Sequence, residues 1–565
     1  MKVLIVGGVA GGAGAAARIS RLDETTQIIM FEKGEYISYA NCGLPYYIGD
    51  VIIDKEKLTL NKPESLKAKF NIDVRINTEV IEVFEKEKTI EVRNLKSGVT
   101  YKEGYDKLIL APGAKAVCPR IDGFDDKKVF SLRTVNDTMK IKEYVSTKKL
   151  KTAVIIGAGF IGLEMAENLK QLGIDVTVVE VANQILKSID KDMAGYLQGY
   201  LKLKGLNFKL NSGVTGFMQE DNQYYTVVNN EKKISSDIVL LAMGVTADTE
   251  FIKNSNIAVN DKGGIKVNEK METSIKDIYA VGDAVEVTNF VTGKPSMIPL
   301  AGPANKQGRI VANNIYGIED YYEGTQGSSI IKLFDITVAQ TGINEKQAIK
   351  ENLDYDVAIL CPPAHAVYYP KQSNIATKVV FEKKTGKILG AQLIGFEGVD
   401  KRCDVFAVAI KCGLSAKDLT RLELCYAPPY SSAKDPVNMA GYIIENLVSG
   451  FYKQVRIENV VNNLDKVLLL DVRKEDEYAK GHINEAINIP LDELRYRFNE
   501  IPKDKPIYVI CKTGHRSYMA CRILMQNGYD CTNVAGGFYF YANVMCGVSD
   551  IKAMHSCGVD IEISE

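Results

Sequence analysis

Cys42 stands in the run Ser38-Tyr39-Ala40-Asn41-Cys42-Gly43-Leu44-Pro45-Tyr46-Tyr47, with no second cysteine near it. An enzyme that passes electrons through an internal dithiol needs two adjacent thiols, so an isolated one pairs with something outside the chain or is oxidised alone. Its open products are a mixed disulfide, a persulfide or a sulfenate. A second candidate, Cys511, follows the apolar run Ile507-Tyr508-Val509-Ile510 and opens the loop Cys511-Lys512-Thr513-Gly514-His515-Arg516. Inward-pointing loop amides, followed by a helix from Ser517 to Leu524, form an anion nest for a thiolate or persulfide, and Lys512, His515 and Arg516 add positive charge.

The elements that would position Cys42 are nucleotide-binding turns. Val3-Leu4-Ile5-Val6 runs into Gly7, Gly8, Val9, Ala10, Gly11 and Gly12, then a small-residue helix from Ala13 to Arg21, with Glu32 closing the next apolar run. Glycines allow the tight turn, the helix N-terminus faces a pyrophosphate, and the acid binds ribose hydroxyls. Val9 departs from the usual second glycine. The stretch Ile278-Tyr279-Ala280-Val281-Gly282-Asp283 compensates, since a strand and glycine-aspartate turn hold a ribityl chain in two-dinucleotide flavoproteins, so this part is read as an FAD site. A complete fingerprint follows at Gly157, Gly159, Phe160, Ile161 and Gly162, with Glu180 ending the strand that begins at Asp175. Glu180 would accept from ribose hydroxyls and repel a 2′-phosphate, and no Arg or Lys follows in Val181-Ala182-Asn183-Gln184, so NADH is expected over NADPH. The bland reading of either turn alone is a glycine loop that binds nothing; two in one chain argue against it.

With 565 residues and 46% hydrophobic composition, the chain is too long for one core. An α/β fold is expected: two Rossmann-like dinucleotide-binding domains (FAD at 1–110 and 243–322, NAD(H) at 111–242), an α+β dimerisation domain at 323–447, a linker at 448–458 and a further α/β domain at 459–565. Leu108-Ile109-Leu110-Ala111-Pro112-Gly113 and Leu240-Leu241-Ala242-Met243-Gly244 mark the two crossings. Basic and acidic residues, 70 and 71, nearly cancel, which gives no sign of a nucleic-acid partner. No run approaches the roughly 18 apolar residues of a membrane helix. The 11 scattered cysteines are no disulfide framework and point to a reducing, cytoplasmic setting, and no metal site is indicated.

Residues 1–447 resemble the coenzyme A disulfide reductases of the single-cysteine flavoprotein disulfide reductase family. The resemblance rests on Ser38-Tyr39-Ala40-Asn41-Cys42, Pro299-Leu300-Ala301-Gly302-Pro303-Ala304-Asn305, His365-Ala366-Val367-Tyr368-Tyr369-Pro370 and Tyr426-Ala427-Pro428-Pro429-Tyr430-Ser431. The family usually has Phe where Tyr39 stands, a change that keeps the ring. The resemblance implies further FAD contacts at Lys33, Asn41, Ala111, Pro112, Gly113, Arg133, Pro299, Leu300 and Ala301, and a nicotinamide contact at Gly244. It implies a homodimer in which Tyr368 and Tyr426 of the partner approach the Cys42 sulfur and donate a proton to a leaving thiolate or persulfide. Mere packing at an interface is the alternative for both. Coenzyme A carries a pyrophosphate and a 3′-phosphate, so its cations are expected at Arg18, Arg21, Lys67, Lys69 and Lys434, with Ser38, Tyr39 and Asn305 beside them; surface solvation is the alternative for each lysine. Gly43 to Tyr47 is expected to open a helix whose dipole makes Cys42 a low-pKa thiolate, whereas Cys403, Cys412 and Cys425 are expected to be buried and inert.

The segment 459–540 resembles a rhodanese sulfurtransferase domain, from Asp471-Val472-Arg473 through Gly481-His482-Ile483 to Ala535-Gly536-Gly537-Phe538. The six-residue loop from Cys511 to Arg516 has the length of sulfur-transferring members, which disfavours a phosphatase, and the tail 539–565, with Cys546 and Cys557, has no function assigned. The two modules together imply an NADH-dependent flavoprotein that reduces coenzyme A persulfide, polysulfide or another low-molecular-weight thiol persulfide to thiol and hydrogen sulfide, with Cys511 delivering the sulfur. Plain coenzyme A disulfide reduction is the first alternative. An NADH oxidase or peroxidase cycling a sulfenate is the second, although the histidine such enzymes carry early is missing, the first here being His365. A non-enzymatic redox-responsive binding protein is the third. The linker is expected to hold Cys511 close without fixing its orientation.

Overall fold

The computed structural model describes residues 1–119, 121–125, 127–221 and 223–548. Two compact units divide the chain, Met1–Val181 with Asn207–Gly327, and Ala182–Leu206 with the residues from Ser328 onward.

The first unit contains two five-stranded parallel sheets. One runs in the order Ile278–Ala280, Lys107–Leu110, Lys2–Val6, Gln27–Phe31, Ile72–Arg75, and the other Asn207–Lys209, Asp175–Val179, Thr152–Ile156, Ile238–Leu241, Val129–Ser131. Buried on both faces, the central strands read as unbroken apolar runs rather than alternating ones. Each central strand turns through a glycine into a helix, Ala10–Leu22 or Phe160–Gln171. Gly7 has φ +98°, and a Cβ there would lie 2.0 Å from the Ala111 carbonyl oxygen; Gly157 has φ +108°, with the Ala242 carbonyl 2.3 Å away. The two turns use one device: the strand crossing at 111 or 242 presses on the glycine, which only a residue without Cβ permits.

The second unit holds a five-stranded antiparallel sheet, ordered Ser329–Leu333, Ile336–Gly342, Ile388–Gly395, Ala376–Glu382, Tyr355–Leu360, and packed against Val399–Lys411. Although the sequence assigns 111–242 to one domain, Ala182–Leu206 belongs to this unit. Fully buried Lys378 explains part of the attachment, its ammonium reaching Asp190 at 3.2 Å, Asp192 at 2.9 Å and Glu345 at 2.5 Å. A buried cation is tolerated only with such partners.

A parallel sheet follows in the same unit, ordered Gln454–Val455, Cys531–Val534, Ile507–Ile510, Leu468–Asp471, Ile487–Asn488, with the helices His515–Gln526 and Gly537–Val548. The expected loose linker is corrected here. Gln454–Val455 is an edge strand paired to Cys531–Val534, the Gln454 side chain bonds Ile359 through both amide ends, and Arg456 pairs with Glu345 at 2.6 Å. Backbone pairing and buried polar contacts fix the segment where polarity alone suggests a tether. The apolar residues from Gly537 form a helix laid on Lys191–Leu203, where Gly195 and Gly199 admit it so closely that a Cβ on Gly547 would meet the Gly195 oxygen at 1.8 Å. The rest of the tail, 549–565 with Cys557, lies outside the described residues. No helix among the described residues is long and apolar enough to cross a membrane.

Candidate functional site

Cys42 lies in a single turn, Asn41–Gly43, leading into the short helix Leu44–Ile48, and its side chain reaches the surface. The expected low-pKa thiolate is corrected. Burial raises the Cys42 thiol, and the negative charge of Glu164 raises it further, against a smaller downward pull from Arg133. A five-residue helix supplies too small a dipole to reverse this. Glu164, on the nicotinamide-side helix Phe160–Gln171, accepts a long hydrogen bond from the Tyr46 hydroxyl at 3.4 Å, and burial pushes its carboxyl up to about 7. Sequence reading missed Glu164; its signal is an acid two residues past Gly162 in an otherwise apolar stretch. Burial, with Glu32 adding to it, raises the Tyr39 phenol to about 12, and Ser38 takes a left-handed φ of 45°.

Several candidate flavin residues of the first unit, Glu32, Lys33, Ala111 and Pro112, lie at its first glycine turn. Glu32 ends its strand with one carboxylate oxygen accepting from Gly8 N–H at 3.0 Å and the other from Gly34 N–H at 2.8 Å. A cavity of about 280 Å³ is lined by Gly7, Glu32, Lys33, Val80, Pro112 and Asp248. Lys33 pairs with Asp248. Gly11 and Gly12 are buried in the helix Ala10–Leu22, whose first residue is Ala10. Gly113 at φ +71° follows the crossing, and Arg133 donates to the Ala114 carbonyl and to Asp283, both at 2.9 Å. Gly282 at φ +85° begins the turn with Asp283, and Pro299 and Leu300 lead into the helix from Ala301. Asn41 Oδ1 is buried with no partner among the described residues, a polar orphan of the kind that a bound group satisfies. These residues fit an adenine dinucleotide.

The second turn fits as well. Glu180 Oε2 accepts from Ala158 N–H at 3.0 Å, so the carboxylate sits against the glycine turn. Gly162 is forced by contact, a Cβ there meeting the Gly157 oxygen at 2.1 Å, whereas a Cβ on Gly159 would meet nothing within 4 Å. A glycine that no protein atom requires leaves room for a ligand's pyrophosphate. Phe160 and Ile161 open the helix, and Gly244, at φ +106°, is also open on its Cβ side.

Among the candidate coenzyme A cations, Arg18 and Arg21 share the helix Ala10–Leu22, and Lys67 and Lys69 the neighbouring Pro63–Phe70. Arg21 is exposed with its guanidinium 5.8 Å from the Phe70 ring centre, Arg18 is tied to Asn313 at 2.9 Å, and Lys67 bonds Asn71 at 2.7 Å. Asn305 donates to the Ala301 carbonyl. Lys434 is exposed and belongs to the second unit.

In the second unit Tyr368 and Tyr426, both exposed, meet hydroxyl to hydroxyl at 3.0 Å, and that bond is the chief reason the Tyr368 phenol is raised. Buried Arg402 ties their loops together, donating to the carbonyls of Ala364 and Tyr430 and to Asp435. Of the cysteines expected to be buried, Cys403 is; Cys412, at the end of the helix Val399–Lys411, and Cys425, in a loop, are exposed.

Cys511 sits buried at the end of Ile507–Ile510. Its sulfur accepts from Gly514 N–H and from the Ser517 hydroxyl, each at 3.2 Å, and Ser517 is a contact that sequence reading had not assigned. The loop carbonyls are held from behind, Cys511 O by Phe538 N–H and Lys512 O by Tyr539 N–H, both at 2.8 Å. Thr513 is half-buried, and Lys512 and His515 are exposed. Arg516 forms a fork with Glu477 at 2.6 and 2.7 Å, so its charge is answered within the protein.

Residues 1–308 match the family described as Pyridine nucleotide-disulphide oxidoreductase, 328–436 match its dimerisation domain, and 457–543 match the rhodanese-like domain. The coenzyme A disulfide reductase of Staphylococcus haemolyticus is 36% identical over 447 residues, 79% of this chain and 100% of the relative. Among solved structures, reduced Bacillus anthracis CoADR-RHD is 47% identical with a TM-score of 0.93, covering 96% of this chain and 98% of that one. A NAD-dependent persulfide reductase from A. fulgidus is 36% identical with a TM-score of 0.91, covering 96% of this chain and 100% of that one.

Proposed function

From a chain that belongs to the pyridine nucleotide-disulphide oxidoreductase family and carries a rhodanese domain, we propose an NADH-dependent reductase of coenzyme A persulfide and related sulfane sulfur, fed by Cys511. The family implies FAD and NAD(P)H; when bound, they supply two electrons per turnover to Cys42. The Glu32 and Glu180 carboxylates at their glycine turns orient the two nucleotides through ribose hydroxyls. Glu180 also repels a 2′-phosphate, which favours NADH.

Cys42, left as a thiolate by the preceding reductive step, attacks the carbon-bound sulfur of coenzyme A persulfide, forming a Cys42–coenzyme A mixed disulfide and expelling hydrosulfide. Two electrons and one proton then return Cys42 thiolate and coenzyme A thiol, which closes the balance. In a homodimer the paired phenols of Tyr368 and Tyr426 supply that proton to the leaving sulfur, one phenol polarising the other through their 3.0 Å bond. Arg21, Arg18, Lys67 and Lys69 meet the phosphates of coenzyme A.

The observation that carries the reading is the pair of 3.2 Å hydrogen bonds on Cys511 Sγ: a sulfur-holding loop with its donors in place, on the same chain as a single-cysteine reductase. Coenzyme A disulfide reduction is the second reading, favoured by the relative from Staphylococcus haemolyticus. The deciding experiment compares NADH consumption with coenzyme A persulfide, coenzyme A disulfide, polysulfide and oxygen. The persulfide is expected to give the highest kcat/KM; a higher value for the disulfide or for oxygen overturns the proposal. Cys42→Ser is expected to retain flavin and lose turnover with every sulfur acceptor.

A further inference from the structure

Beneath the Cys511 loop lies a buried polar cluster that the chemistry above does not use. Tyr452, 4% exposed, comes from the segment joining the antiparallel sheet's domain to the rhodanese domain, and its ring packs edge-on against Tyr518 with centroids 5.2 Å apart. Its hydroxyl accepts from Asn533 Nδ2 and, at 3.3 Å, from Gln454 Nε2. The same Asn533 Nδ2 donates to the Gly514 carbonyl at 3.1 Å. Gln454 in turn clasps the backbone of Ile359 in the antiparallel sheet, accepting from its N–H at 3.2 Å and donating to its carbonyl at 2.8 Å. The orientation of the Asn533 amide is fixed: turned over, its oxygen would face the Gly514 carbonyl, two acceptors with no proton between them. Asn533 therefore keeps this pose although its own oxygen is buried without a partner among the described residues, a cost accepted only where the other end is needed.

Hydrogen bonds thus run without a gap from Ile359 through Gln454, Tyr452 and Asn533 to Gly514, whose own N–H reaches the Cys511 sulfur at 3.2 Å. Gly514 sits at φ +95° as the residue that starts the helix His515–Gln526, so its peptide orientation aims that N–H. We infer that Tyr452 and Asn533 are positioning residues of sulfur transfer, holding Gly514 by its carbonyl so that its N–H stays on the Cys511 sulfur, and anchoring the loop to the dimerisation domain through Gln454. Neither residue touches the sulfur; each acts through Gly514. Burial raises the Tyr452 phenol above its ordinary value, so its oxygen accepts both bonds as a neutral hydroxyl.

The inference rests on the reading of Cys511 as a sulfur carrier, and its test separates the two. Tyr452→Phe keeps the ring against Tyr518 and removes only the hydroxyl. In the full-length holoenzyme, thiosulfate-to-cyanide sulfur transfer at neutral pH is expected to slow about fivefold, the scale of one lost hydrogen bond. Its pH–rate profile is expected to move toward higher pH, since the Gly514 donor to the sulfur is loosened. A fraction of misfolded protein would lower the rate without moving the profile. NADH oxidation with coenzyme A persulfide supplied directly is expected to stay at the wild-type rate. Gln454→Ala, which cuts the ties to Ile359 and to the Tyr452 hydroxyl but leaves the Tyr452–Asn533 and Asn533–Gly514 bonds, is expected to shift the same profile in the same direction by less, and it serves if Tyr452→Phe fails to fold. An unmoved profile in a folded Tyr452→Phe, or in Gln454→Ala if that is the only folded variant, overturns the inference. Failure of the parent reading looks different: Cys511→Ser would then transfer sulfur at the wild-type rate.

Discussion

The hydroxyls of Tyr368 and Tyr426 lie 3.0 Å apart across 58 residues of sequence. Two exposed phenols sharing one hydrogen bond act on one proton, so their removals are expected to be non-additive. Tyr368→Phe and Tyr426→Phe are each expected to lower kcat with coenzyme A persulfide about a hundredfold, the scale of general acid catalysis at its low end, with flavin absorbance intact. The double variant is expected to fall little further. Full multiplicative loss would mean that the two phenols do not serve one proton, and wild-type rates in the double variant would return both residues to packing.

Glu180 makes a prediction about coenzyme choice. Its carboxylate is held by Ala158 N–H at the glycine turn, where the ribose hydroxyls of NADH would reach it. NADH is expected to have the higher kcat/KM, and Glu180→Ala to narrow the gap by lowering the NADH value. A tenfold preference for NADPH in the wild type, about 1.4 kcal/mol in transition-state terms, refutes the assignment.

Glu164 links the site to stability. Burial is the main reason its carboxyl rises from an ordinary 4.5 to about 7, with the charge of Glu167 adding and the Tyr46 bond opposing. The folded chain therefore holds this proton more tightly than the unfolded one. Stability is greatest below about pH 4.5 as far as this group is concerned, and it declines as pH rises toward 7, where the ionised carboxylate is left in a poorly solvated place. Glu164→Gln has no proton to lose. Melting curves are expected to show the variant gaining on the wild type between pH 5 and 8, reading roughly across that titration. Parallel curves at every pH would contradict it.

What the sequence made legible was local. Gly7 and Gly157, with Glu32 and Glu180 about 20 residues on, encode both nucleotide turns because turn, helix start and strand-end acid all follow from short-range geometry. The Cys511 loop is legible for the same reason, though Ser517 and the answering of Arg516 by Glu477 are not, since Glu477 lies 39 residues away. The joining segment around Tyr452 and Gln454 looked like a tether because its polar side chains find partners far along the chain, in Asn533, Ile359 and Glu345. The helix Gly537–Val548 looked surplus for a like reason: its partner surface, with Gly195 and Gly199, stands some 340 residues earlier, as the 349-residue separation of the Gln198–Gly547 bond illustrates. Charge and burial at Cys42 were misread because Glu164 approaches from another domain's helix.

That helix pair gives a packing test. With the Gly195 oxygen 1.8 Å from a Cβ on Gly547, and Asn543 O 2.8 Å from one on Gly199, no side chain fits without moving a helix. Gly199→Val is expected to lower the melting temperature of the second unit, on the scale of about 1–3 kcal/mol for overpacking. Unchanged melting would mean the helices do not pack this closely.

The last prediction concerns the two thiols. Cys511→Ser removes the atom that accepts from Gly514 and Ser517 and alters no residue assigned to the Cys42 site. Reduction of coenzyme A persulfide supplied directly is expected to proceed at the wild-type rate, since a small diffusible persulfide bypasses the rhodanese loop. Hydrogen sulfide release from thiosulfate or from a protein persulfide, donors that must first load Cys511, is expected to be lost, and adding Cys511-intact rhodanese domain in trans should restore it only at high concentration, because fusion supplies the effective concentration. Wild-type rates with every sulfane donor would remove the rhodanese domain from the catalytic route and leave the coenzyme A disulfide reductase reading as the simpler account.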